Sequence, residues 1–384
     1  MLALTGLLLA AMSALPPQTA GGAGERDPYT RGEPQAMQRA GYRSFGPFRL
    51  FRDVTSAKVD EALGDVGLHW IETEHFRIGC SLGAMRPSGS RERKALAAEL
   101  ETLRERLPGV PRRPSRVDPW LRAHLWAARA ERTYERFAAL ACPDPERDAR
   151  RIDSQRSYVL LLFGDAAQVG RFRDAFLGEG LSGEAFRWSI PVGRVELYAT
   201  HGAAPAYLDS ELALRCNVTY ALTRNLLDGY RGHTFPVPAW LSVGLGHLLA
   251  REISPRYDYF AEDRDYGPDD VRVWDWAPRV RARVSHGMAR SGRALAAPFD
   301  DADFSYADHM TAWSRVDHLV STDPAGFARF VHALKAPFGP DEEPITVEAL
   351  HQRHWQALRE AFGWTPEEWD RAWRAWVLAT YPRR

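Results

Sequence analysis

Apolar positions change their period near the middle of the chain. In LHWIETEHFRIGCSL (68–82), the alternation from His75 to Cys80 predicts a strand. Residues 89–107 and 115–141 carry apolar residues at spacings of three and four, which predicts two helices. The second helix presents Trp120, Leu121, Leu125, Trp126, Tyr134, Phe137 and Leu140, and Pro143 and Pro145 end it. SYVLLLFG (157–164) is a continuous apolar run of strand length, so a buried strand is expected. A helix over 165–176, a Gly-rich turn and the strand VELYAT (195–200) follow.

Beyond that strand the pattern is helical. Helices are expected over 209–228 and 237–251, near 269–285, and over 303–321, 324–335, 346–361 and 365–380. Thr365 is the expected N-cap of the last helix, with Pro366 at its first position and Glu367 and Glu368 in its first turn. The fold class is therefore α+β, with a mixed N-terminal half and a helical C-terminal half. No strand is expected in the core after Gly267, because Phe327, Phe330, Val331 and Leu334, then Trp369, Trp373, Trp376 and Val377, recur at helical spacing. Leu212, Leu214, Val218, Leu222 and Leu226 form one stripe. Leu241, Leu245, Leu248 and Leu249 form another, so the two middle helices should pack together.

Composition narrows the function classes. Lys and Arg together number 50, as do Asp and Glu, so the formal charge is zero, and a nucleic-acid partner lacks the cation excess that phosphates require. Only Lys58, Lys94 and Lys335 are lysines; a GC-rich coding bias explains the arginine excess. LALTGLLLAAMSAL (2–15) is too short to span a bilayer, which takes about 20 residues, and reads as a signal-peptide core with cleavage after Ala20. The protein is then exported, periplasmic or extracellular, with no transmembrane segment after signal removal. Residues 21–66 read as a linker ending in a tacked-down segment, RSFGPFRLF, ahead of one domain over 67–384 with halves 67–228 and 229–384. Of three cysteines, Cys80 and Cys142 flank one strand-helix unit and are the expected disulfide; Cys216 is left over.

The chemistry-bearing segments are ELALRCNVTYALTRNLL (211–227) and VPAWLSVGLGHLLARE (237–252). They resemble the signature helices of the peptidase-MA-like gluzincins, a family of zinc metallopeptidases. There HExxH puts two zinc-binding His on one helix face with a general-base Glu between them, and a Glu on a second helix is the third ligand. WIETEHFRI, AHLWAARAERTYERF, YADHMTAWSRVDHLV, FARFVHALK and LREAFGWTPEEWDRAWRAWVLATYP extend the resemblance over 68–382. At the signature positions this chain has Cys216 and Tyr220 for the two His, Asn217 for the base and Val243 for the ligand Glu.

Asn217 cannot take a proton from water, Val243 has no lone pair, and Tyr220 is a poor zinc ligand. The resemblance thus implies a gluzincin-like fold without its zinc, and no catalytic residue is assigned. The implied function is an exported pseudo-peptidase with a binding or structural role toward a peptide or protein. Two alternatives stand beside it: a hydrolase rebuilt around Cys216, and a metallopeptidase with displaced ligands. The residue four after Val243 is His247, where the resemblance places a group that orients the first ligand, so the Cys216 thiol and the His247 imidazole are expected within about 5 Å or joined through one water.

His309 and His318 are candidate cleft-lining residues. His351 and His354 read as a solvated helix face, Asn217-Val218-Thr219 as a chance glycosylation match within a helix, and Asp263, Asp265, Asp269 and Asp270 as a solvated loop. Ser242 lacks the setting of a nucleophile elbow, and Gly178, Gly180 and Gly183 fit no phosphate loop.

Overall fold

The computed structural model describes residues 26–383 apart from 65, 145–156, 179–182, 191–193, 203–209, 233–234, 257–274 and 339–344. The expected signal peptide and the acidic loop at Asp263–Asp270 lie outside the described residues, as does the start of the helix expected near 269.

The N-terminal half is built on one five-stranded sheet. β3 (His69–Glu72), β4 (Phe76–Cys80), β5 (Ser157–Phe163), β6 (Phe186–Ile190) and β7 (Val195–His201) lie in the order β3-β4-β5-β7-β6. The three inner strands run parallel, while β3 and β6 run antiparallel at the two edges. β5 is the continuous apolar run because both faces of the sheet are covered. Its Tyr158, Leu160 and Leu162 enter a core shared with α3 (Gly89–Arg106) and α4 (Pro119–Ala141). Its Val159, Leu161 and Phe163 enter a second core with α5 (Ala166–Phe176). In the β3–β4 hairpin Trp70 sits opposite Gly79, and a Cβ on Gly79 would run into the indole, so this position needs glycine for close approach.

Three sequence expectations change here. The segment expected as a linker with a tacked-down end, RSFGPFRLF, carries regular elements on both sides of that end as well: α1 (Pro34–Ala40), a hairpin of β1 (Arg49–Phe51) and β2 (Val54–Thr55), and α2 (Ser56–Leu63). Leu50, Phe51, Val54, Val59 and Leu63 complete the second core. The strap before α1 is held by Asp27, whose carboxylate meets His124 Nε2 at 3.0 Å while His124 Nδ1 meets Tyr42 Oη at 2.8 Å. A polar, Gly- and Pro-rich composition hid this anchoring, which rests on a few specific contacts. Second, β6 lies in the stretch that the sequence reads as a Gly-rich turn, where it pairs with β7 as an edge strand. Third, no bridge joins Cys80 to Cys142; both are buried thiols, and burial pushes the Cys80 thiol up to about 11.

The helical half follows the expected pattern. α6 (Glu211–Gly229) and α7 (Ala239–Ile253) pack against each other, and α7 also packs against α10 (Tyr306–Thr322). α7 is buried nearly all round, from Trp240 to Leu249. Its Gly246 permits the approach, since a Cβ there would lie 2.7 Å from the Tyr220 ring. α8 (Trp276–Ser285), the single turn α9 (Gly292–Leu295), α11 (Pro324–Leu334), α12 (Val347–Phe362) and α13 (Pro366–Thr380) complete the half. The cap of α13 is the expected one, with Thr365 and Glu368 in a reciprocal capping box. Among the described residues no strand follows Gly267. The architecture is α+β.

Candidate functional site

A cleft of about 280 Å³ opens between β6, β7, the C-terminal half of α6, the start of α7 and residues 299–301. Its charged lining is Arg187 and Arg224 against Glu196, Asp228, Asp300 and Asp301, so carboxylates outnumber arginines two to one. Each arginine is tied within the wall. Arg187, on β6, donates from Nε to Asn225 Oδ1 at 2.7 Å and pairs with Asp228, which anchors β6 to α6. Ser189 Oγ donates to Glu196 at 3.0 Å across the β6–β7 pair. Arg224 donates from Nε to Ser242 Oγ at 3.1 Å and from one terminal nitrogen to Tyr220 Oη at 2.9 Å. It also grips Asp301 with both terminal nitrogens at 3.0 Å. Burial opposes ionisation of Asp301, but the charge and hydrogen bonds of Arg224 outweigh it and hold the carboxyl near a pKa of about 2.

Behind this wall lies an aromatic cluster. His247 Nε2 meets His309 Nδ1 at 3.2 Å, one ring donating and the other accepting. The His247 ring is tilted on Tyr220 at 4.7 Å and edge-on to Trp276 at 4.9 Å. Burial lowers the His247 pKa well below the ordinary imidazole value, and neighbouring His309, Arg251 and Arg224 push the same way. His247 is therefore a neutral partner in packing.

The structure brings together some of the residues singled out by sequence. Tyr220, His247 and His309 form one cluster, and Cys216 shares an apolar core with Tyr220 and Trp276. Cys216 is 2% exposed, so a reagent or substrate in solvent does not reach it. Asn217 is half-buried and accepts from Tyr198 Oη on β7, a place that suits neither a general base nor a glycan. Val243 is fully buried in the main core.

Two expectations about histidines are corrected. His309 and His318 do not line the open cleft; both are 2% exposed, and His318 is stacked on Trp364 and tilted against Trp376. His354 is not on a solvated face but fully buried, with Trp240 Nε1 donating to its Nε2 at 3.3 Å. In both cases tryptophans distant in sequence supply the apolar cover that local spacing does not show.

The residues at the expected metal positions do not suit zinc. A thiol, a phenol committed to Arg224 and a valine offer no set of three good donors. Among the described residues no three His, Cys, Asp or Glu side chains come together as a metal-binding group. Ser242 does not replace that chemistry, because the group on its Oγ is a guanidinium, which cannot take a proton. Sequence reading missed Arg187, Arg224, Glu196 and Asp301. The i, i+4 spacing of Tyr220 and Arg224 was a visible signal; the approach of Asp301 was not. Comparison of the chain with family models, curated proteins and solved structures finds no match.

Proposed function

We propose that this chain is an exported, gluzincin-like pseudo-peptidase that binds a peptide or protein segment in the cleft beside β6 without cleaving it. The observation that carries the reading is the residue set Cys216, Asn217, Tyr220 and Val243 on two helices packed against each other, next to a cleft that persists although these positions hold no metal-binding set. Two further observations support it. β6 is an edge strand that, among the described residues, pairs only with β7, so its outer side has backbone groups suited to an extended segment. The cleft combines charged groups with Phe235, Val237 and Phe299, a mixture suited to side chains of both kinds.

The reading is tested with a library of unstructured peptides, scored for binding by fluorescence anisotropy and for hydrolysis by mass spectrometry. The expected result is saturable binding of some peptides, weakened by Arg187→Ala in the cleft wall, with every peptide recovered intact. Turnover that scales with enzyme concentration would contradict it, as would the absence of binding by any peptide.

A further inference from the structure

Four of the five N–H directions of Arg224 are used by three partners on three different segments: Tyr220 within α6, Ser242 on α7, and Asp301 in the loop before α10. The guanidinium also lies 5.3 Å from the Tyr220 ring centroid. Such a fork holds its partners in one plane, which an ammonium cannot do. Tyr220 occupies one position where the resemblance would place a metal ligand, and Ser242 directly precedes another.

We propose that Arg224 is the resident cross-linking cation of this protein: Tyr220, Ser242 and Asp301 form an internal guanidinium receptor that joins α6, α7 and the 299–301 loop at the cleft wall. The cross-link stands on these contacts alone; only its relation to metal positions rests on the peptidase-like reading. A fixed cation at this corner supplies the attraction between helices and loop that a bound metal would otherwise supply. It also repels a second cation placed beside it.

Chemical rescue tests the receptor. Thermal midpoints of full-length Arg224→Ala are measured in guanidinium chloride, in sodium chloride at equal ionic strength, and with zinc chloride alone, using tens of millimolar of the first two. The substitution should lower the midpoint by roughly 3 °C, as expected for losing charge-assisted hydrogen bonds of a partly buried pair in a chain of this size. Guanidinium should recover at least half of that loss, while sodium and zinc recover little. Equal recovery by sodium, recovery by zinc, or no recovery by any cation overturns the proposal. Should Arg224→Ala not accumulate as folded protein, Arg224→Lys decides the matter, because it keeps the charge and loses the fork. A lysine variant with a clearly lowered midpoint supports the receptor, and one as stable as the native chain overturns it. A peptide-binding screen that fails would leave this result untouched.

Discussion

At the scale of single residues, burial decides what the singled-out side chains can do. Cys80, Cys142 and Cys216 are each at most 3% exposed. A thiolate forms poorly where burial penalises its charge, and solvent reagents do not reach it. The native protein should therefore be inert to a thiol reagent at neutral pH, and denaturation without reductant should release three reactive thiols. One thiol, with two more appearing only after reduction, would restore the disulfide expected from the sequence. A rapidly labelled Cys216 would revive a thiol-based active site. Gly246 gives a second prediction at this scale. Gly246→Ala forces a methyl group against the Tyr220 ring, and overpacking of this kind costs about 1–3 kcal/mol, read as a lowered denaturation midpoint.

Among elements, a buried ion network ties α3, α4 and α6 together away from the cleft. Arg129, on α4, pairs with Glu99 of α3 at 2.9 Å and with Glu211 at the start of α6. Arg122 also pairs with Glu211 at 2.6 Å, and Arg215 with Glu99 at 2.9 Å. Burial raises the pKa of Glu211, but Arg129 and Arg122 outweigh it and hold the carboxylate below its ordinary value. Arg129→Met leaves two buried carboxylates short of a partner, so a loss of about 3–5 kcal/mol is expected in urea unfolding. A smaller loss is expected from replacing Arg129, Arg122, Arg215, Glu99 and Glu211 together by apolar residues of similar size, because no member of the network is then left charged without its partner. A network that merely decorates the surface would show no such difference.

The same comparison of elements shows what sequence could and could not supply. α4, with its clean apolar stripe, and α13, capped by Thr365, were legible because their signals are local, although the start of α4 behind Asp118 lies four residues later than the spacing suggests. β5 was legible as an apolar run covered on both sides. β6 was not, because Phe186 and Ile190 are buried while Trp188 between them is 39% exposed, so its alternation carries no consistent apolar face. Behind the cleft, Tyr220 and Val243 could be placed on their helices from the apolar spacing, and the resemblance supplied only the roles expected of them. The partnership of Arg224 with Asp301 depends on a chain reversal 77 residues later, which no local pattern encodes.

For the molecule as a whole, buried neutral histidines set the response to acid. Burial, aided by Arg315, lowers His318 to about 4, and burial, aided by His351, lowers His354 to about 3. In the unfolded chain both take a proton near the ordinary value of about 6.5. The unfolded state thus binds more protons below that pH, and stability falls as pH drops from about 6.5 toward the folded values. Above about 6.5 the contribution is fully present. His318→Phe, seated between the same tryptophans, should flatten this part of the curve by up to about one proton's slope, ~1.4 kcal/mol per pH unit. Urea denaturation at a series of pH values measures it; an unchanged slope would mean that His318 titrates normally in the folded protein.

On the function proposed above, the molecule keeps a peptidase-like cleft without metal chemistry. Elemental analysis of the purified full-length protein, after exposure to zinc and removal of unbound ion, tests it most directly. The reading predicts far less than one zinc per chain, with no change on adding a chelator. One zinc per chain, lost to chelator together with hydrolysis of a peptide substrate, would contradict it.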